Sequence, residues 1–186
     1  MKATVFISYR REGTSGHAQA IYQRLRTTFG PESVFMDVGN MHSGSDFRAE
    51  IQKGINDCNV MLVIIGPNWA TAKGKKRLAE SNDFVRGEIR TALQRNVHII
   101  PLLIDGAQLP DDLPKEIKSL ADRQAAVVTH VNFDTDMIGL ENDIRSYIQV
   151  LQTKRNRLRF AIFVGACIIT TIAILLYNYD FIGAVN

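Results

Sequence analysis

Cysteine is almost missing from these 186 residues, which hold only Cys58 and Cys167. One lies in the first part of the chain and the other in an apolar run near its end. Neither a disulfide framework nor a zinc site is expected, and a reducing compartment fits. Histidine is sparse as well, and its four scattered residues suggest no metal cluster. The common enzyme signatures are absent too. Gly74-Lys75 lacks the leading glycine and the Ser/Thr of a Walker phosphate loop, and there is no G-x-G-x-x-G, H-E-x-x-H or G-x-S-x-G. With no internal repeat or low-complexity tract either, the length suggests one globular domain of roughly 100–150 residues plus an appendage.

The appendage is legible at once. Phe160–Tyr177 reads FAIFVGACIITTIAILLY, without a charge or a proline. At ~1.5 Å rise per residue it is long enough for the hydrocarbon core of a bilayer. Lys154, Arg155, Arg157 and Arg159 crowd its near side, and Asp180 is the one charge beyond it. The positive-inside rule then predicts a single-pass protein of the bacterial inner (cell) membrane with residues 1–153 in the cytoplasm. Of 22 basic and 19 acidic residues, these four and this one belong to the anchor, leaving 18 of each elsewhere. The basic pI of 8.9 is therefore read as a membrane-anchor signature, with no nucleic-acid partner expected. The expected organisation is a domain at 1–152, a basic juxtamembrane segment at 153–159, a transmembrane helix at 160–177 and a short tail at 178–186 on the non-cytoplasmic side. No Gly or Pro interrupts Leu151 to Val164, so the last domain helix could run straight into the membrane. Ala161 and Gly165 form a small-xxx-small pair that could pack membrane helices or simply fill lipid.

Within the domain, five short runs rich in β-branched residues alternate with helical patterns: Ala3–Ser8, Ser33–Met36, Val60–Ile65, Val97–Ile104 and Ala125–Val131. Continuous apolar strands such as VMLVII suit a parallel sheet covered on both faces. Helical stripes fall at Ala18/Ile21/Tyr22/Leu25/Phe29, at Phe47/Ile51/Ile55/Cys58, at Val85/Ile89/Ala92/Leu93 and at Leu140/Ile144/Tyr147/Ile148/Leu151. A shorter helix is expected after Pro114. Strand and helix alternate five times, which predicts an α/β, flavodoxin-like five-stranded parallel sheet with helices on both faces. Ligands of such domains sit beyond the carboxyl ends of the strands.

The first strand runs into Ser8, Tyr9, Arg10 and Arg11, and the second into Asp37 and a loop holding His42, Ser43 and Gly44. Paired arginines beside a glycine loop could grip a pyrophosphate, or could belong to a solvated turn. His42 alone reads as an exposed loop residue. On the third helix, Phe84 and Glu88 are four apart, share a ridge and lie at the edge of the apolar stripe, where they can face a cleft. A carboxylate there could stabilise a ribosyl cation, with Phe84 as a stacking wall; the plainer reading is a helix-surface glutamate. Lys73-Gly74-Lys75-Lys76-Arg77 is read as a solvated loop, with contact to acidic lipid or nucleic acid as the alternative.

Five motifs in order carry a family resemblance: VFISYRR at Val5–Arg11, VFMDV at Val34–Val38, HSG at His42–Gly44, DFVRGEIRTAL at Asp83–Leu93 and IIPLLIDG at Ile99–Gly106. Over residues 1 to about 150 the chain resembles the Toll/interleukin-1 receptor (TIR) domain. The likeness is nearest to the bacterial branch and to the NAD-cleaving animal TIR protein of axon degeneration. It implies the five-stranded TIR fold and, in the enzymatic branch, an NAD⁺ nucleosidase, a hydrolase of N-glycosyl bonds that can also cyclise its product. NAD⁺ is then substrate, and no cofactor is implied. Glu88 matches the catalytic glutamate of that branch, and Phe84 stands where tryptophan is common. Arg10 and Arg11 match arginines lining the nucleotide site, and Gly44 matches the glycine of the mobile loop. His42 replaces an acidic residue of the animal enzyme. The resemblance also implies self-assembly with other TIR domains and a role in antiphage defence. A non-catalytic signalling adaptor acting by TIR–TIR interaction is the alternative.

Overall fold

The computed structural model describes the backbone of residues 4–36 and 47–183 and the side chains of residues 4–36 and 51–171. Five strands, β1 (Val5–Ser8), β2 (Val34–Met36), β3 (Val60–Ile65), β4 (His98–Ile104) and β5 (Ala126–Val128), form one parallel sheet in the order β2-β1-β3-β4-β5. β3 occupies the centre because every one of its six residues is buried, as a strand covered on both faces must be. The register pairs Ser8 with Val63 and Val63 with Pro101. β5 stops at Val128, short of the expected Val131. The next residue turns away because both the backbone N–H and the hydroxyl of Thr129 donate to Oδ2 of Asp136, each at 2.8 Å.

The helices are α1 (Arg11–Phe29), α2 (Phe47–Asp57), α3 (Ala72–Ala79), α4 (Phe84–Gln94) and α5 (Phe133–Gly183). On one face of the sheet Phe6, Met61, Val63, Ile65 and Ile99 pack with Ile51 and Ile55 of α2, Leu78 of α3 and Val85, Ile89 and Ala92 of α4. The alternate strand residues Val5, Ile7, Leu62 and Ile64 are buried facing the other way, as are Ala18, Ile21 and Leu25 of α1 and Met137, Leu140 and Ile144 of α5. Glu141 ties these two helices, accepting from Nε of Arg24 at 2.8 Å and from the Thr28 hydroxyl at 2.9 Å. α1 is interrupted near its start, where Glu12 and Gly13 leave helical geometry. Gly13 has φ +80°, and a Cβ there would be strained and would meet Nδ2 of Asn68 at 3.0 Å.

The expected solvated loop around Lys73–Arg77 is instead α3. Thr71 caps it, its hydroxyl accepting from the Gly74 N–H at 3.1 Å, and buried Leu78 anchors it. Lys76 and Arg77 fall in its last turn, where they meet the negative end of the dipole. The short helix expected after Pro114 is a 3-10 turn, Lys115–Leu120, held by buried Ile117 and Leu120.

The described residues divide into two units, one up to residue 145 and one from residue 146 onward. The first holds the sheet and its helices. The second is helical through Gly183. Among the described residues no helix is long and apolar enough to cross a membrane. The expected span 160–177 passes residue 171, after which its side chains lie outside the described residues.

Candidate functional site

The site is built where β1 ends against the start of α4. Asp83 caps α4, its Oδ1 accepting from the Arg86 N–H at 2.8 Å. The same carboxylate receives a two-pronged guanidinium, with Nη1 of Arg10 2.9 Å from Oδ2 and Nη2 3.0 Å from Oδ1. Both side chains are buried, so the fork offsets much of the cost of burying each charge. Nε of Arg77 approaches Oδ2 of Asp83 at 3.6 Å. The Arg10 guanidinium also lies over the Trp69 ring, 5.5 Å from its centroid. Below, the Thr14 hydroxyl donates to the Arg10 carbonyl. Two buried donors here, Nε of Arg10 and Nε1 of Trp69, have no hydrogen-bond partner among the described residues. Such groups are uncommon in folded proteins.

One turn further along α4, Glu88 is 6% exposed and points inward. Its Oε2 accepts the Ser8 hydroxyl at 2.5 Å. Phe84, on the same ridge, is 56% exposed. Glu88 and Phe84 line a hollow of about 210 Å³ with Gly87, Arg90 and Thr91 of α4 and with Ile51 and Gln52 of α2. A second hollow, of about 580 Å³, is lined by Tyr9, Arg10, Arg11, Glu12 and Arg77. The two meet at Asn82, Asp83 and Phe84. The larger falls within the ~300–1,000 Å³ typical of ligand sites and opens directly after β1 at Tyr9 and Arg10, where this architecture binds ligands; the smaller lies between α2 and α4.

Of the residues singled out from sequence, Glu88, Phe84, Arg10 and Arg11 come together here. Arg10 differs from expectation in its commitment, because its terminal nitrogens already hold Asp83. Arg11 is exposed on the wall of the larger hollow. His42 and Gly44 lie outside the described residues. Sequence reasoning had named Ser8 only as a strand end, and gave Asp83 and Trp69 no part in the site. Asp83 was readable as a helix cap, being an aspartate directly before an apolar helical pattern.

The basic run of α3 is answered by carboxylates. Nζ of Lys75 is 2.9 Å from Asp112, and Glu12 receives Lys73 at 3.5 Å and Arg77 at 3.4 Å. Hydrogen bonding to Lys75 holds the Asp112 carboxyl below its ordinary range. Cys58 is buried, and desolvation pushes its thiol up to about 12, so it has no nucleophilic character at neutral pH. Among the described residues no cluster of His, Cys, Asp and Glu could hold a metal ion.

A doubly wound parallel domain with a carboxylate buried beside a strand-end cleft defines the class. The sequence profile of the TIR domain matches residues 5–141, and the chain belongs to that family. Solved structures show the same fold. The TIR domains of the activated Roq1 resistosome, which recognises the pathogen effector XopQ, align over 76% of this chain and 99% of theirs at 17% identity and TM-score 0.56. The TIR domain of the Toll-related receptor TRR-2 from Hydra magnipapillata covers 76% and 97% at 19% identity and TM-score 0.51. A prokaryotic SEFIR domain covers 76% and 92% at 18% identity and TM-score 0.51. No curated protein matches the chain.

Proposed function

We propose that this TIR-domain protein is an NAD⁺ glycohydrolase or cyclase that breaks the nicotinamide–ribose bond, with Glu88 at its centre. The observation that carries the reading is the Glu88 carboxylate, buried, fixed by Ser8 and lining a hollow beside an exposed aromatic ring. When the bond from ribose C1′ to the pyridinium nitrogen breaks, its electron pair goes to that nitrogen, and nicotinamide leaves neutral. No general acid is required. The sugar gains oxocarbenium character, which a pre-positioned carboxylate stabilises without reorganising. Water adding to C1′ and losing a proton gives ADP-ribose; attack by a nucleophilic atom of the same molecule gives a cyclic ADP-ribose-type signal. Phe84 supplies a stacking wall for the nicotinamide. Arg11 faces the pyrophosphate from the larger hollow, while Arg10 acts through Asp83 by holding the start of α4. His42 and Gly44, which follow β2 in the sequence, are assigned to NAD⁺ binding by the family resemblance alone.

The proposal extends to the setting. Residues 160–177 anchor the chain in the bacterial inner membrane with the TIR domain cytoplasmic, self-assembly activates it by raising local concentration, and its role is antiphage defence. The test is nicotinamide release from NAD⁺ by the full chain in liposomes, at low and high surface density, beside Glu88→Ala. Release that rises with density and disappears in Glu88→Ala supports the reading; equal release by both proteins removes Glu88 from its role.

A second reading, a non-catalytic adaptor, is favoured by one observation. Large apolar side chains are exposed on both edge strands, Phe35 on β2 and Val127 on β5, as suits edge-mediated TIR–TIR contact. No release at any density, with association intact, moves the assignment there.

A further inference from the structure

Gly87 sits inside α4, one residue before Glu88, with ordinary helical geometry. Glycine in a helix interior destabilises relative to alanine, because the unfolded chain has more freedom to lose. Close packing usually explains such a residue. Here, a Cβ built on Gly66 would meet Cγ2 of Thr14 at 2.5 Å, and one on Gly74 would meet the Asn68 carbonyl at 1.9 Å. Gly87 is different, since a Cβ there would meet no heavy atom of the described residues within 4 Å. Gly16, Gly106, Gly139 and Gly165 also face open space; the first three are exposed and Gly165 is half-buried like Gly87, but of the five only Gly87 lines the hollow beside Glu88.

Helical periodicity puts Phe84, Gly87, Glu88 and Thr91 on one face of α4, and all four line that hollow across from Ile51 and Gln52. The Thr91 hydroxyl donates to the Gly87 carbonyl at 2.9 Å. That leaves the middle of this face flat, with an aromatic ring on one side and a buried carboxylate on the other. The domain's own described packing gains nothing from the missing side chain.

We propose that Gly87 is a specificity-determining position, and that its absent side chain is the space in which the nicotinamide-ribose end of the dinucleotide lies against Glu88. This rests on the NAD⁺-cleaving reading. A methyl group at this position narrows the seat without meeting a described atom within 4 Å, and a branched side chain occludes it.

The test uses the full chain in liposomes, with Gly87→Ala, Gly87→Leu and the surface control Gly139→Ala. Thermal melting is measured together with nicotinamide release over a range of NAD⁺ concentrations. Expected are melting temperatures raised by about 2–4 °C in Gly87→Ala and Gly139→Ala. Gly87→Ala raises KM several-fold with kcat nearly kept, Gly87→Leu loses at least tenfold in kcat/KM, and Gly139→Ala keeps wild-type kinetics. Wild-type kinetics in Gly87→Leu would overturn the proposal and leave Glu88 in its role. A lowered melting temperature in Gly87→Ala would show that the domain itself needs the space, and would also overturn it. No release by the wild type at any density would remove the functional reading and this proposal together.

Discussion

The Ser8 hydroxyl donates to Oε2 of Glu88 at 2.5 Å, so the last residue of β1 fixes the carboxylate of a helix that follows two strands later. This contact orients the carboxyl group of a glutamate that the sequence alone would place on a helix surface. A buried side-chain hydrogen bond of this kind contributes about 1–3 kcal/mol, which removing its donor forfeits.

Ser8→Ala should therefore lower stability by about 1–3 kcal/mol and reduce nicotinamide release, because Glu88 loses the group that orients it. Urea unfolding and the release assay measure the two effects. A variant with full activity would show that Ser8 does not position Glu88.

Glu88→Gln keeps the volume and an acceptor for Ser8 but removes the negative charge. Release should fall at least ~100-fold, the order expected on deleting a pre-organised electrostatic contact, with the melting temperature within a few degrees of wild type. Activity within a factor of two of wild type would rule out charge stabilisation by this residue.

The Arg10–Asp83 fork predicts strong coupling. Asp83→Asn removes the carboxylate that the buried Arg10 guanidinium holds and should cost about 3–5 kcal/mol. Arg10→Met leaves Asp83 near Arg77, 3.6 Å away, and should cost less. The double variant should cost less than the sum, by about 0.5–3 kcal/mol. Asparagine still caps a helix, so the cycle isolates the ion pair from the cap. Strict additivity in denaturant titrations would mean that the fork contributes no coupling energy.

The Cys58 thiol, raised by burial to about 12, gives a signed pH effect. From the ordinary thiol value upward, the unfolded chain releases a proton that the folded chain keeps. The thiol's contribution is thus complete below pH 9 and lost as pH rises toward 12, by at most about 1.4 kcal/mol per pH unit. The stability difference between Cys167→Ser and Cys58→Ala/Cys167→Ser should shrink above pH 9. In the Cys167→Ser background, alkylation at pH 8 should label Cys58 only after unfolding; rapid labelling of the folded protein would contradict its burial.

The proposed anchor predicts that the full chain stays with membranes through alkaline carbonate washing, and that a chain ending at residue 153 is released. Full-length protein recovered in the wash would argue against a spanning segment at 160–177.

Much of the architecture was legible because its signals are local. VMLVII, short, continuously apolar and rich in β-branched residues, suits a strand buried on both faces, and the stripes of α1, α2, α4 and α5 repeat at helical spacing. α3 was missed because a run of lysines has no apolar periodicity. Its helix depends on the Thr71 cap and on one anchor, Leu78, whose burial requires the assembled domain. In the site, Glu88 and Phe84 were legible as a ridge at the edge of an apolar stripe. Their differing exposures were not, since these depend on what stands opposite each side chain.

Sequence by itself determined the strand–helix alternation, the family motifs and the identity of the acidic residue on α4, because periodicity and motif spacing act between near neighbours along the chain. Tertiary structure alone decided that Arg10 turns to Asp83 across 73 residues and that Ser8 meets Glu88 across 80. Such partners are chosen by which strand ends lie side by side and by the cost of burying an unpaired charge, and both exist only once the sheet has formed.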